Sequence, residues 1–240
     1  SPAGAVADDH IAAEYLDEAA LMELGRRCRA ATTEFENVPA AALKFLAQHC
    51  SVSPDAASVA IAQDRIAEKR FIAACGIDVA PHVVIDREDD LQTIDAQLFP
   101  AILKSARMGY DGKGQLPVDT LRAARAAWTD MGCVPCVLEK KLPLRLEVSI
   151  VACRAQNGTA VTFPLAENEH RGGILATSIA PARVDDSIGR RARDAALKLA
   201  ERMNYVGVHF GGLFVLGDGA LLVNEIAPRP HNSGHYTIDA

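Results

Sequence analysis

The residues best suited to chemistry fall in three runs. The first is Gly109-Tyr110-Asp111-Gly112-Lys113-Gly114-Gln115, shortly after the apolar stretch Ala101-Ile102-Leu103-Lys104. Its glycines let backbone N–H groups converge on one anion without Cβ obstruction, and Lys104 adds an ammonium group at the end of the preceding strand. Phosphate binding would be the chemistry, although a plain tight turn would use the same glycines. It is not a Walker loop, because no Ser or Thr follows the Gly-Lys pair and the four-residue spacer from an earlier glycine is missing. The second run, Val137-Leu138-Glu139-Lys140-Lys141-Leu142, ends a strand, and Arg145-Leu146-Glu147 opens another. A strand edge would offer backbone donors and acceptors to a purine, and Glu147 could accept from ribose hydroxyls. A charged hairpin exposed to water accounts for the same residues.

The third run is the densest, Leu221-Leu222-Val223-Asn224-Glu225-Ile226-Ala227-Pro228-Arg229-Pro230-His231-Asn232-Ser233-Gly234-His235. A strand ending in Asn-Glu delivers hard oxygen ligands, as a magnesium ion bridging phosphates requires. Arg229 and His231 then add a permanent cation and a titratable donor or base in a proline-stiffened loop. Cys133-Val134-Pro135-Cys136 is read as structural, since no second pair or suitably spaced His completes a metal site.

Positioning these runs requires mixed α/β and α+β elements. Apolar spacing predicts a helix from Tyr15 to Cys28, a short strand from Ala31 to Phe35 and a helix from Pro39 to His49. Ser51-Val52-Ser53-Pro54 breaks the pattern, and a boundary falls near residues 55 to 60. A helix over Asp64 to Cys75 is expected to end on Gly76 in the left-handed conformation. Strands follow at 82–85, 101–104, 137–139, 148–153, 161–165, 206–215 and 221–224, with helices at 90–98, 121–131 and 187–203.

The chain has 240 residues, 49% hydrophobic and 23% charged, enough to bury one large core or two smaller ones. A net charge of -6 gives no electrostatic reason to expect a nucleic acid or an anionic membrane as partner. Nothing approaches the roughly 20 apolar residues of a membrane span, and Ser1 to His10 lack the regions of a signal peptide, so the cytoplasm is the expected compartment. The first residue is not Met and Ala240 interrupts a continuing pattern, so the expectation is a piece of a longer chain.

Taken together, Lys104, the run at 109 to 115, Glu139 with Glu147, and the motif at 224 to 235 resemble the ATP-grasp superfamily. Within it they are similar to the 5-(carboxyamino)imidazole ribonucleotide synthetases of purine biosynthesis. Thr33-Glu34-Phe35-Glu36-Asn37-Val38-Pro39, Ala62-Gln63-Asp64-Arg65 and Glu167-Asn168-Glu169-His170-Arg171-Gly172-Gly173-Ile174-Leu175 add to the likeness. The resemblance implies a partial Rossmann-like pre-ATP-grasp domain over 1–58, an ATP-grasp domain over 59–240 and no C-terminal domain. It implies a homodimeric ligase that uses ATP and Mg2+ to activate bicarbonate and carboxylate 5-aminoimidazole ribonucleotide. Carried over residue by residue, Arg65, Lys104, Gly109, Gly112, Gly114, Gln115, Glu139, Lys140, Lys141, Leu142, Glu147, His170, Asn224 and Glu225 would surround ATP. Glu34, Tyr110 and Asp111 would face the aminoimidazole nucleotide, and Lys113, Arg229 and His231 the bicarbonate. Glu225 would hold the metal, while Gly212 stands where the family places a second carboxylate. A nucleotide-binding remnant without catalysis, or another ATP-grasp ligase such as a formate-dependent glycinamide ribonucleotide transformylase, are the alternatives.

Overall fold

The computed structural model describes residues 2–109 and 114–238. Tyr110, Asp111, Gly112 and Lys113 lie outside the described residues. The first part of the chain alternates α1 (Glu18–Arg27), β1 (Ala30–Ala31), α2 (Ala40–Leu46), β2 (Ser51–Val52) and α3 (Ala56–Ala62). Asp17 and Asp55 cap α1 and α3 by accepting the N–H groups of Ala20 and Ser58. Two expectations change here. The strand foreseen over 31–35 stops at Ala31, and the Thr33 hydroxyl donates to the Phe35 carbonyl at 2.9 Å, which bends the chain out of extended geometry. Ser51-Val52, expected as a break, forms β2 and pairs in parallel with β1.

Helix α4 (Arg65–Ala74) is started by Asp64, which accepts from the N–H groups of Ile66 and Ala67, and is ended by Gly76 at φ +66. It leads into β3 (His82–Ile85), β4 (Ala101–Ser105), β5 (Gln115–Val118), α5 (Leu121–Asp130) and β6 (Cys136–Lys140). The four strands form one sheet in the order β3-β6-β4-β5, covered by Ala124, Ala127 and Trp128 of α5. The helix expected over 90–98 is instead two short 3-10 turns, Glu88–Thr93 and Ala96–Leu98. Asp90 accepts from the N–H groups of Asp86 and Arg87 and fixes the turn before it, while Asp95 accepts the N–H of Gln97, a donor that a continuous helix over 90–98 would need.

The larger sheet contains β7 (Leu144–Arg154), β8 (Ala160–Thr162), β9 (Ala166–Arg171), β10 (Ile174–Ile179), β11 (Gly207–Leu216) and β12 (Leu221–Ala227), with α6 (Asp186–Arg202) before β11. Its order is β10-β9-β7-β11-β12, and β8 adds to β7. The strand foreseen over 161–165 ends at Thr162, two residues before Pro164, which has no N–H for a ladder. Strand β5 and the β9–β10 hairpin were not foreseen. Gly172 and Gly173, at φ +61 and +82, make the hairpin's turn.

Helices α4 and α6 pack on one face of the larger sheet, where Ile72, Ile188, Ala192 and Leu199 meet Val148, Ile150, Leu213 and Val215. Side chains alternate along β11, so Phe210, Gly212 and Phe214 turn to the opposite face, which is left for ligands.

Neighbouring residues of α4 pin the two sheets. Glu68 accepts the Ile226 N–H of β12 at 2.6 Å, and Lys69 reaches Glu139 of β6 at 2.5 Å.

Candidate active site

On the open face of the larger sheet, Glu147, His170, Gly212, Asn224, Glu225 and His231 line one cleft. Register explains why residues so far apart in sequence meet. Asn168 pairs with Glu147, Glu147 with Phe214, and Gly212 with both Ser149 and Glu225. A bulge between Gly212 and Leu213 leaves Asn224 without an opposite residue, so Asn224 and Glu225 both line the cleft. His170 Nδ1 lies 2.9 Å from Glu147 Oε2, and that hydrogen bond raises the imidazole pKa against partial burial.

The Glu147→Gln variant should therefore show His170 titrating at lower pH, read by NMR of the ring protons. An unchanged His170 titration would mean that the pair does not form in solution. The linkage has a definite sign. A raised histidine pKa contributes stability that is present below its ordinary titration range and lost as pH rises through the folded-state value.

His231 stacks on Phe210 with centroids 3.8 Å apart and planes 12° from parallel. Its Nδ1 accepts the Ser233 N–H at 3.3 Å, which puts the proton of the neutral ring on Nε2. Arg229 is held by Glu36 of the first unit at 2.5 Å and donates to the Pro230 carbonyl at 2.8 Å. Gln63 secures the loop carrying Glu36 by donating to the carbonyls of Glu36 and Val38. Glu34 is exposed and makes no contact with Arg229; Glu36, two residues on, makes it.

A second group lies on the four-stranded sheet. Lys104 on β4 donates to Glu139 Oε1 at 2.9 Å, and both side chains are buried. Gly109 and Gly114 flank the base of the phosphate-loop candidate. A Cβ on Gly109 would come within 2.7 Å of Arg65 Nη1, and one on Gly114 within 2.6 Å of Ser105 Oγ. Gly114, at φ +70, holds a conformation that favours glycine, whereas a side chain at 109 would have to displace the flexible Arg65 guanidinium. Arg65 also donates its N–H to the Ala106 carbonyl, and Gln115 pairs with Lys104 across β4 and β5. Arg65, Lys104, Gly109, Gly114 and Gln115 are therefore brought together.

One expectation about this group is corrected. Strand β6 is not at a sheet edge, because β3 and β4 flank it. The N–H groups of Lys140 and Lys141 are committed to the carbonyls of Pro81 and Pro100, each at 2.8 Å, and the Glu139 carboxylate is committed to lysines. Just beyond the strand, the Leu142 N–H has no hydrogen-bond partner among the described residues and is open to a ligand. Sequence reading missed Lys69, Glu68 and Glu36. Only Glu36 had a signal, as part of the run Thr33 to Pro39.

Residues 70–240, which hold both sheets, the buried lysine–carboxylate group and the carboxylate-lined cleft, match the ATP-grasp domain model. The chain belongs to the ATP-grasp family. Residues 1–63 match the ribonucleotide synthetase pre-ATP-grasp domain. Among curated relatives, N5-carboxyaminoimidazole ribonucleotide synthase of Bacillus subtilis is 41% identical over 240 residues, all of this chain and 63% of that protein. The synthase of the same name from Brucella melitensis is 44% identical, over 98% of this chain and 66% of that one. The chain thus spans just under two thirds of the length of these relatives. A solved N5-carboxyaminoimidazole ribonucleotide synthetase in complex with ADP superposes with a TM-score of 0.94 at 36% identity, covering 100% of this chain and 64% of the other. The Aspergillus clavatus synthase with ADP and 5-aminoimidazole ribonucleotide gives 0.90 at 27% identity, covering 100% and 64%.

Proposed function

We propose that this chain forms the nucleotide- and bicarbonate-handling part of a ligase that carboxylates 5-aminoimidazole ribonucleotide at the expense of ATP. The observation that carries this reading is the convergence of Glu147, His170, Asn224, Glu225 and His231 on one cleft. The ADP and aminoimidazole nucleotide complexes of similar structures support it. Bicarbonate oxygen attacks the γ-phosphorus of ATP, ADP leaves, and carboxyphosphate forms. The exocyclic amine of the aminoimidazole nucleotide then attacks the carboxyl carbon, the C–O bond to phosphate breaks, the amine loses a proton and phosphate departs.

In this division of labour, residues 1–58 are the pre-ATP-grasp part and residues 59–240 the ATP-grasp part. The open Leu142 N–H and the chain after β6 meet adenine, while Glu147 accepts from the ribose hydroxyls and His170 stands beside it. Arg65, Lys104, Gln115 and the amides of the 109–115 run hold phosphates. Arg229, positioned by Glu36, and His231, donating from Nε2, bind the anionic bicarbonate and its phosphorylated form together with Lys113. Glu34, Tyr110 and Asp111 face the aminoimidazole nucleotide.

The donor set fits Mg2+ only as an ion arriving with the nucleotide. Among the described residues no group of three or more His, Cys, Asp or Glu side chains gathers, and Asn224 and Glu225 supply hard oxygens that phosphates would complete. Mg2+ held there would neutralise phosphate charge. The same reading makes the intact enzyme a cytoplasmic homodimer.

The test is release of phosphate from ATP, with formation of the carboxylated nucleotide followed by mass spectrometry. Release that requires both bicarbonate and 5-aminoimidazole ribonucleotide is the expected result. Release that ignores either co-substrate, or that requires formate instead, overturns the assignment. Gly212 favours a second reading, nucleotide binding without turnover, which ADP binding without any phosphate release would support.

A further inference from the structure

Lys69 is a buried cation to which the mechanism above gives no task. It sits on α4 with its side chain 2% exposed and contacts Glu139 Oε2 at 2.5 Å, while Lys104 takes Glu139 Oε1 at 2.9 Å with its own side chain 9% exposed. Two ammonium groups therefore share one carboxylate. Of the other charges near α4, Asp64 is occupied by Arg107 and by capping the helix. Glu68 does not compensate either: burial is the main cause that lifts its carboxyl to about 8, leaving it largely protonated at neutral pH. Arg65, beside Gly109, adds a further positive charge. A low-dielectric site holding surplus positive charge is costly until an anion arrives, and of the two lysines on Glu139 the one with more access to an anion is Lys104.

We propose that Lys69 is a positioning residue for nucleotide phosphates: by binding one oxygen of Glu139 it leaves Lys104 incompletely neutralised and fixed for an incoming phosphate. This rests on the nucleotide reading above. Without Lys69, Glu139 would serve Lys104 alone, and the pair would close as a neutral unit with less attraction for an anion.

The experiment compares ADP, by calorimetry, with adenosine, by ligand-observed NMR, on the 240-residue chain and its Lys69→Met variant. ADP affinity should fall about tenfold, while adenosine affinity stays within about twofold, because only the phosphates sense the lost charge. Lys69→Arg should keep ADP affinity within about threefold of the parent, since it restores the cation. If Lys69→Met does not fold, Lys69→Gln, which keeps a polar contact to Glu139 without the charge, carries the same comparison. An equal loss for ADP and adenosine, or none for ADP, overturns the proposal and leaves the nucleotide reading standing. No saturable ADP binding by the parent chain overturns both.

Discussion

Gly212→Glu should raise the affinity for ADP in the presence of Mg2+ by about tenfold, and lower it when Mg2+ is chelated. Gly212 lies opposite Glu225 on β12 and opposite Ser149 on β7, on the cleft face of the sheet. A Cβ built there meets Glu225 Cγ and the Phe210 ring at 3.4 Å, an ordinary van der Waals contact. A carboxylate at this position would stand beside Glu225 and give an incoming cation two anionic anchors instead of one. It would also offer an acceptor to Ser149 Oγ, which is buried and has no hydrogen-bond partner among the described residues. The opposite sign without metal follows from the same charge, since two carboxylates repel a diphosphate unless a cation lies between them. Calorimetric titrations of ADP with Mg2+ and with EDTA, on parent and variant, give the comparison. Equal shifts under both conditions would show that position 212 acts through packing and not through a metal.

How legible such a site was from sequence depended on distance along the chain. Asn224 and Glu225 announced themselves because a strand, its ligands and its proline-bounded loop occupy one contiguous run. Lys104, Glu147 and His170 became interpretable only together, through a family resemblance, because strand register and not sequence proximity brings Asn168, Glu147 and Phe214 into one row. Lys69 was invisible. One lysine in a helix rich in charged residues reads as solvated, and only the packing of α4 against β6 turns it inward. The long strands and both longer helices of the second half followed from periodicity, whereas the segment at 88–98 did not, because Asp90 fixes a turn ahead of it and Asp95 takes the Gln97 N–H that apolar spacing assigned to a helix. The strand edge expected at the end of the run 137–142 was misread because a charged end of an apolar run looks like an edge, while β6 is internal and, among the described residues, the unpaired N–H lies just beyond Lys141, at Leu142.

His209→Leu should stabilise the fold by about 2 kcal/mol and remove much of its sensitivity to acid. His209 is 1% exposed on the helix-packed face of β11, with neither ring nitrogen hydrogen-bonded among the described residues. Its neighbour Tyr205 meets the ring edge-on at 5.2 Å but spends its hydroxyl on the Val208 carbonyl, so it offers no relief. A buried polar atom without a partner costs roughly 1–3 kcal/mol, and leucine fills a similar volume with no polar atom to desolvate. Burial pushes the imidazole down to about 4, so the folded protein resists protonation that the unfolded chain accepts from about 6.5 downward. Stability is then lost as pH falls through the unfolded value, by about 3 kcal/mol in total when pH reaches the folded one. Urea denaturation at pH 7.5 and pH 5 tests both parts. The parent should lose more stability than the variant between the two, and the variant should be the more stable at each. Equal losses would place the acid-sensitive group elsewhere, and a less stable variant at pH 7.5 would mean that His209 finds in solution a partner its packing on β11 does not provide.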